Sequence, residues 1–273
     1  MTDFSYFIAI IAALFLASIA ARFELLSEGG IFAAVLIGLT IYFFGGWNWF
    51  MILAVFFIIA SSFTKYRISE KREVNREFAK GGVRDFWQVA ANGALGALIA
   101  VINTFYPTNT SYFAFLGVIA AATADTLATE IGVLSKEAYL ITNLKKVEKG
   151  VSGAISKLGT AAAISGSLLI GLVAVILSNY FMEPAIDPVF LLLIPLIAGT
   201  FGALLDSFLG ATVQVMYWCP KCKKQTEREV HKCNSKTTYY KGIRNINNDT
   251  VNLISTIGAG LLAAGLYQLL KGY

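Results

Sequence analysis

Three cysteines and the only histidine of the chain are grouped within fifteen residues. Two close pairs, separated by eight residues, offer four soft ligands, which is the number that a closed tetrahedral zinc site requires. A redox CxxC pair and uninvolved thiols are alternatives, but neither explains the histidine beside the third cysteine. In a reducing cytoplasmic loop we expect structural Zn²⁺ on Cys219, Cys222, His231 and Cys233.

Carboxylates in or beside apolar segments form a second candidate site. A charged side chain near membrane depth costs free energy, so each one is a functional hypothesis, with a hydrogen bond between packed helices as the plainer alternative. Several carboxylates with few bases among them suit a hard cation such as Mg²⁺, which also holds substrate phosphates. These acids and their neighbouring amides are Asp85, Gln88, Asn92, Asp125, Glu130, Asp206, Asn248, Asp249 and Asn252.

The spacing of these residues predicts which of them share a helix face. Asp85, Gln88 and Asn92 are three and four apart, so they form one stripe of a helix. Asp125 and Glu130 are five apart, about 140° around a helix, and we expect them to meet different partners. The polar residues of four helices at one depth predict a shared hydrophilic pocket.

A loop with cations, glycines and hydroxyls, residues 145–160, precedes an apolar segment. Flexible backbone followed by a helix N-terminus is suited to binding phosphate, although glycine and lysine are also ordinary loop residues. The spacing does not match the Walker A motif. The candidate phosphate-binding residues are Lys145, Lys146, Lys149, Ser152, Gly153 and Lys157.

The composition predicts an integral membrane protein that positions these residues on helices. Hydrophobic residues make up 56% of the 273 residues and charged residues only 14%, and the mean hydropathy is +0.65. A soluble domain has about a quarter of its residues charged, so a large soluble catalytic domain is excluded. Apolar runs predict an all-α bundle of eight membrane helices at residues 4–21, 31–45, 47–63, 86–105, 112–134, 158–181, 189–215 and 251–269.

The second of these helices is the least regular in sequence. Its apolar run is short, so it either begins as early as Leu25 or forms a tight hairpin with the third through Gly45 and Gly46. We treat residues 1–273 as one membrane domain with a cytoplasmic insert at 216–247.

The positive charges predict the orientation. With eight alternating spans, 21 of the 22 lysines and arginines fall in loops on one face, leaving only Lys271 on the other. The positive-inside rule then makes the basic face cytoplasmic and puts both termini outside. No Lys or Arg precedes the first apolar segment, whereas Asp3 does, so we expect a retained anchor rather than a signal peptide.

A set of polar and glycine-containing motifs runs from the fourth to the eighth apolar segment. The motifs are Gly82-Val83-Arg84-Asp85 through Gln88, Asn92 and Gly93; Thr123-Ala124-Asp125-Thr126 through Glu130-Ile131-Gly132; Gly150 to Gly153 with Gly159-Thr160; Asp206-Ser207 through Leu209-Gly210-Ala211-Thr212 and Gln214; and Asn247-Asn248-Asp249 with Val251-Asn252. Together these motifs resemble a membrane family that includes transmembrane protein 19 and plant phytyl-phosphate kinase. The first eighty residues add little to this resemblance.

The resemblance implies a nucleotide-dependent kinase, with CTP as the expected donor, that phosphorylates a phytyl or geranylgeranyl monophosphate at the cytoplasmic face. One departure is that the family often has an arginine-rich stretch where this chain has residues 142–146, and lysine lacks the bidentate fork of arginine.

Phosphoryl transfer requires neutralisation of phosphate charge by Mg²⁺ and by Lys or Arg, and this requirement assigns the expected roles. We expect Arg84, Asp85, Asp125 and Glu130 to be catalytic, and the asparagines to hold nucleotide, phosphate or metal-bound water. The expected Mg²⁺ ligands are Asp125, Glu130, Asp206 and Asp249, and the expected phosphate cations are Arg84, Lys145, Lys146, Lys149 and Lys157.

Two other functions use similar residues. A transporter or flippase of a lipid phosphate is one, but transporters tend to bind substrate near the midplane, whereas these polar residues lie near one face. A prenol kinase or cytidylyltransferase would use the same nucleotide and metal pocket. The expected partners are CTP or another nucleoside triphosphate, an isoprenoid monophosphate and membrane lipids, with a homodimer as an option and no nucleic acid.

Overall fold

A computed structural model describes residues 3–66, 82–181 and 186–272 of the chain. Within these residues it is mostly helical, and seven helices are long and apolar enough to cross a membrane. Their bounds are α1 Asp3–Arg22, α2 Glu28–Lys65, α3 Phe86–Phe105, α4 Asn109–Gly132, α5 Lys157–Phe181, α6 Pro188–Thr212 and α7 Asn248–Leu270.

The long helix α2 reverses direction at Gly46. This residue has φ 79° and ψ −169°, a conformation that glycine adopts without steric cost. Ser27 N at one end of α2 donates to the Arg84 carbonyl at 3.0 Å, and Arg84 Nη2 donates to Thr64 Oγ1 at the other end at 3.2 Å. A straight helix of 38 residues would separate its ends by about 57 Å, so the two halves of α2 are antiparallel arms.

The prediction of eight separate helices is therefore not confirmed. The predicted helices at 31–45 and 47–63 are the two arms of one element, and the hairpin at Gly45 and Gly46 describes them correctly. The two apolar runs were counted as separate helices because Gly45 and Gly46 interrupt them, although no polar loop lies between them.

Polar side chains determine where several helices begin. Ser27, Thr108 and Asn247 each accept a hydrogen bond from a backbone N–H in the first turn of α2, α4 and α7. Asp85 forms a capping box on α3, because it accepts from Gln88 N at 3.0 Å while Gln88 Oε1 accepts from Asp85 N at 3.3 Å. The side chain of Asp85, which was expected to be catalytic, thus caps the start of α3.

Helix α4 is the centre of the bundle, and thirteen of its residues are buried. Small residues let its neighbours approach closely. A Cβ added at Gly202 of α6 would lie 2.4 Å from Ala121 Cβ, and one added at Gly117 of α4 would lie 2.6 Å from Ala263 Cβ of α7. Close approach of this kind is the usual basis of helix packing in membranes, and here it brings α6 and α7 against one helix.

Two small antiparallel sheets lie between the helices, which the all-α prediction did not include. In the first, β1 (Ala138–Leu140) lies between β2 (Lys146–Val147) and β3 (Ala154–Ile155). In the second, β4 (Met216–Cys219) lies between β5 (Lys224–Thr226) and β6 (Thr238–Lys241). Strands of two to four residues are too short to show an alternating pattern in the sequence.

The start of α1 and the end of α7 lie at the same end of the bundle. Trp47 Nε1 donates to Ser5 Oγ at 2.9 Å, so the start of α1 is beside the reversal at Gly46. Gln268 near the end of α7 donates to Thr110 at the start of α4. The opposite end of the bundle contains the starts of α3 and α7 and the ends of α4 and α6.

Replacing Gly202 by alanine is expected to destabilise the bundle. The added methyl group would overlap Ala121, and overpacking typically costs about 1–3 kcal/mol. Gly265→Ala in α7 is the matched control, because nothing lies within 4 Å of its added Cβ. Thermal unfolding in detergent should show a lower midpoint for Gly202→Ala only; equal midpoints for both variants would contradict the packing described for α4.

Candidate functional site

A polar cavity of about 280 Å³ lies where the ends of α2, α4 and α6 meet the starts of α3, α5 and α7. The loop 149–156 closes one side of it. The residues proposed from the sequence that line this cavity are Arg84, Gln88, Asn92, Asp125, Glu130, Lys149, Ser152, Gly153, Asp206, Asn248, Asp249 and Asn252.

Negative charge predominates in this cavity. Among the described residues, five carboxylates and two cations line it, which leaves a formal charge of −3. Carboxylates that share a partly desolvated site repel one another, and a bound cation reduces this repulsion. Carboxylate and amide oxygens are the ligands that Mg²⁺ prefers, so the donor set fits a divalent hard cation. The five acids are Asp125, Glu130, Asp206, Glu227 and Asp249.

The two acids of α4 face different groups, as their spacing predicts. Asp125 interacts electrostatically with Asp206 of α6, whose carboxylate also accepts a hydrogen bond from Ser255 Oγ of α7 at 3.2 Å. Glu130 interacts with the guanidinium of Arg84. The cavity therefore combines two carboxylates from adjacent helices with an acid whose charge acts on a base.

Arg84 is held in place by its backbone and its side chain. Its N–H donates to the Leu25 carbonyl at 3.1 Å, and its own carbonyl accepts from Ser27 N at 3.0 Å. Burial lowers the pKa of the Arg84 guanidinium, and the charge of Glu130 opposes that shift. Glu130 therefore favours the cationic form of this side chain against the effect of burial.

The loop 149–156 packs tightly against the end of α6. Gly153 has φ +81°, and a Cβ added there would lie 2.4 Å from Ala211 N, so only glycine fits. This approach places Ser152 Oγ where it donates to Gln214 Oε1 at 2.9 Å, and Gln214 Nε2 donates to Glu227 Oε1 at 2.9 Å. A chain of hydrogen bonds thus connects the cavity wall with the segment that follows β5.

Glu227 is the acid that sequence reasoning missed. It follows β5 in a loop rich in lysine, far from any apolar segment, so no periodic pattern marks it. Gln214 belongs to a motif of the resemblance, but no role was expected for it. Thr64 at the end of α2 also lines the cavity and was not among the candidates.

Four residues expected to take part in the chemistry do not line the cavity. Asp85 caps α3, as described above. Lys146 Nζ lies 2.8 Å from Glu137 Oε1, and this contact raises the pKa of the exposed lysine and lowers that of the glutamate. Lys145, which directly precedes β2, and Lys157, at the start of α5, are both exposed. Of the expected phosphate cations, Arg84 and Lys149 are the two at the cavity.

The four ligand atoms of the cysteine cluster lie close enough together to hold one metal ion. One ligand atom from each of Cys219, Cys222, His231 and Cys233 lies within 4.8 Å of all the others. Cys219 Sγ and Cys233 Sγ are 3.6 Å apart, and His231 Nδ1 is 3.2 Å from Cys233 Sγ. Zinc bonds of about 2.3 Å to sulfur and 2.0 Å to nitrogen would separate these atoms by about 3.8 Å and 3.5 Å, so the donor set fits Zn²⁺.

Comparison with known proteins identifies the relatives of this chain. A family model described as integral membrane protein DUF92 matches residues 11–260. Protein PGR of Arabidopsis thaliana is 32% identical over 256 residues, which cover 87% of each chain. An uncharacterized membrane protein of Methanocaldococcus jannaschii is 29% identical over 262 residues, covering 96% of this chain and 94% of that one.

A third relative comes from the same plant as Protein PGR. Protein VTE6, chloroplastic, of Arabidopsis thaliana is 26% identical over 249 residues, which cover 89% of this chain and 65% of the relative. No solved structure matches this chain at a significant level.

We expect the cysteine cluster to bind about one zinc ion per chain. Replacing Cys222 by serine removes a thiolate and should abolish most of the zinc, measured by mass spectrometry of the purified protein. Lys221→Ser is the matched control, because Lys221 is exposed and lies between two of the ligands. Zinc content that is the same in wild type and Cys222→Ser would contradict the assignment.

Proposed function

This chain belongs to the integral membrane family DUF92, and we propose that it is a CTP-dependent prenyl-phosphate kinase. It transfers the γ-phosphoryl group of CTP to a phytyl or geranylgeranyl monophosphate, giving the diphosphate and CDP. The observation that carries this proposal is the cavity in which five carboxylates and two cations meet at the ends of membrane helices. The motif resemblance to phytyl-phosphate kinase supplies the reaction class and the donor.

The acids of the cavity would hold Mg²⁺. Asp125 and Asp206 come from adjacent helices and interact with each other, while Asp249 and Glu130 line the same space. When bound, Mg²⁺ neutralises the phosphate oxygens of the nucleotide and orients the transferred group. Glu227 is added to the expected ligands because it reaches the same cavity from the second sheet.

Arg84 and Lys149 would bind the phosphates. The planar guanidinium of Arg84 presents five N–H donors, and its bond to Thr64 uses one of them, so it is suited to bidentate binding of a phosphate. Lys149 lies on the loop across the cavity and contributes a point charge. Their positive charges together reduce the electrostatic repulsion between the anionic acceptor and the anionic nucleotide.

The reaction requires no strong general base. The acceptor is a phosphate monoester with a second pKa of about 6, so its attacking oxygen is already anionic near neutral pH. This agrees with a chain whose single histidine belongs to the cysteine cluster. The remaining polar groups would orient the nucleotide and metal-bound water, and these are Gln88, Asn92, Asn248, Asn252, Ser152 and the backbone at Gly153.

The cavity would face the cytoplasm. Loops with most of the cationic residues join the helices at the same end of the bundle as the cavity, which favours this orientation by the positive-inside rule. Zn²⁺ on the cysteine cluster would then lie in a reducing compartment and stabilise the second sheet, whose strand β5 directly precedes Glu227. Both chain termini would be outside.

The position of the cavity favours a kinase over a transporter. Its polar lining lies at one end of the helices, whereas substrate sites of transporters commonly lie near the bilayer midplane. A prenol kinase or cytidylyltransferase would use the same acids and cations. Identifying the reaction product therefore distinguishes these activities from the proposed one.

Asp125→Asn is expected to abolish phosphoryl transfer without unfolding the protein, because the amide keeps the shape of the side chain but loses the charge that binds the metal. The assay uses purified protein in detergent with Mg²⁺, geranylgeranyl or phytyl monophosphate, and γ-labelled CTP or ATP. Labelled lipid diphosphate is the expected wild-type product. In a parallel reaction with the free alcohol in place of the monophosphate, labelled monophosphate would indicate a prenol kinase.

Asp187→Asn is the matched control for this experiment. Asp187 is the N-cap of α6 and lies at the opposite end of the helix from Asp206; asparagine preserves the cap. The control should keep wild-type turnover. Wild-type turnover in Asp125→Asn would remove that residue from the site, and absence of labelled lipid with folded, metal-loaded wild-type protein and both acceptors would overturn the kinase.

A further inference from the structure

A second cavity, of about 80 Å³, lies beside the first between α1, the two arms of α2 and α3. Three polar residues line it, and the same three line the first cavity: Arg84, Gln88 and Asn92. All its other described lining residues are apolar side chains or glycine. The two cavities are therefore neighbours across one polar wall.

The second cavity extends along the helices, away from that wall. It follows α1 from Ala20 to Ala13 and the second arm of α2 from Phe57 to Phe50. Seven residues of helix correspond to about 10 Å, so the space is elongated in the direction of the helix axes. Its far part, beside Ala13 and Phe50, has apolar lining among the described residues.

Small side chains keep this space open. Ala17 and Ala34 line it from α1 and from the first arm of α2, and both are only half-buried. A Cβ added at Gly93 of α3 would lie 3.2 Å from Ile37 Cγ2, so α3 approaches the arm closely at that point. Larger residues at these alanines would fill the cavity.

We infer that the second cavity binds the hydrocarbon tail of a lipid monophosphate whose phosphate lies at Arg84. This inference rests on the proposed function, since it assigns the place of the acceptor in that site. A charged group at one end and apolar lining beyond it match an amphipathic ligand with one anionic head. A nucleoside would need polar partners along its whole length, which this lining does not offer.

The shared wall explains how the acceptor is oriented. Arg84 is fixed through Leu25, Ser27 and Thr64, so its guanidinium is held between both cavities. Asn92 Nδ2 donates to the Gln88 carbonyl at 2.9 Å, which holds the asparagine along the same stripe of α3. A phosphate bound there faces the carboxylate cavity while its tail remains among apolar side chains.

Selectivity for the tail would come from shape. The tail leaves a bilayer that is as apolar as the cavity, so transfer from lipid to protein gains little from the hydrophobic effect. Packing against the walls must therefore decide which tail fits. Changing the volume of the cavity is the direct way to test the assignment.

The test uses geranylgeranyl monophosphate that carries a diazirine on the half of its tail nearer the phosphate, within the length of the cavity. Protein in lipid nanodiscs is irradiated with this probe, and the labelled residues are mapped by mass spectrometry. We expect labels on α1 and on the arms of α2 at residues that line the second cavity, and we expect unlabelled geranylgeranyl monophosphate to suppress them.

Ala34→Leu and Ala17→Leu should each reduce this labelling by about fivefold or more, because the larger side chain occupies the space of the tail. Ala94→Leu is the matched control, since Ala94 is an exposed neighbour of Gly93 on α3 and lines neither cavity. Labels that lie elsewhere on the bundle, or that persist equally in both cavity variants, would overturn the inference.

Phosphoryl transfer measured on the same preparations separates this inference from the proposed function. Labelling in the second cavity without transfer from CTP or ATP would support the tail site and reject the kinase. Transfer to the lipid with labels outside the cavity would support the kinase and reject the tail site.

Discussion

Close approach of α6 and α7 to α4 is the constraint on which the polar cavity depends. At Gly202 and Gly117 a Cβ would lie only 2.4 Å and 2.6 Å from the Cβ of an alanine on the neighbouring helix, so each glycine permits the close approach. Carboxylates from three helices can share one cavity only if the helix axes come this close. The packing near the middle of the bundle therefore determines the chemistry at its end, where Asp125, Asp206 and Asp249 lie.

Arg84 connects structural elements at the boundary between the polar and the apolar cavity. Its backbone pairs with the start of α2 and its side chain bonds to the end of α2, so one residue joins both arms of the hairpin. Gly30 contributes to this contact, because a Cβ there would lie 2.4 Å from the Arg84 carbonyl. Arg84 therefore holds the two arms of α2 together in addition to contributing a positive charge to the cavity.

Features that follow from helical periodicity were predictable from the sequence. The positions of residues in loops and short strands were not. The stripe of Gln88 and Asn92 on α3 was predictable, because helical spacing places such residues on one face. The position of Lys146 outside the cavity was not predictable, because its place in a β-strand opposite Tyr139 and beside Glu137 depends on a turn that composition does not specify. Glu227 was missed because only the tertiary contact with Gln214 brings it to the cavity.

The order of the cavity residues along the chain has a consequence for biogenesis. Arg84 precedes the acids of α4 and α6, and Asp249 and Asn252 come at the start of the final helix α7. During synthesis, carboxylates on α4 and α6 enter the membrane before α7 exists to enclose them. The complete polar lining of the cavity therefore forms only once α7 has packed against α4.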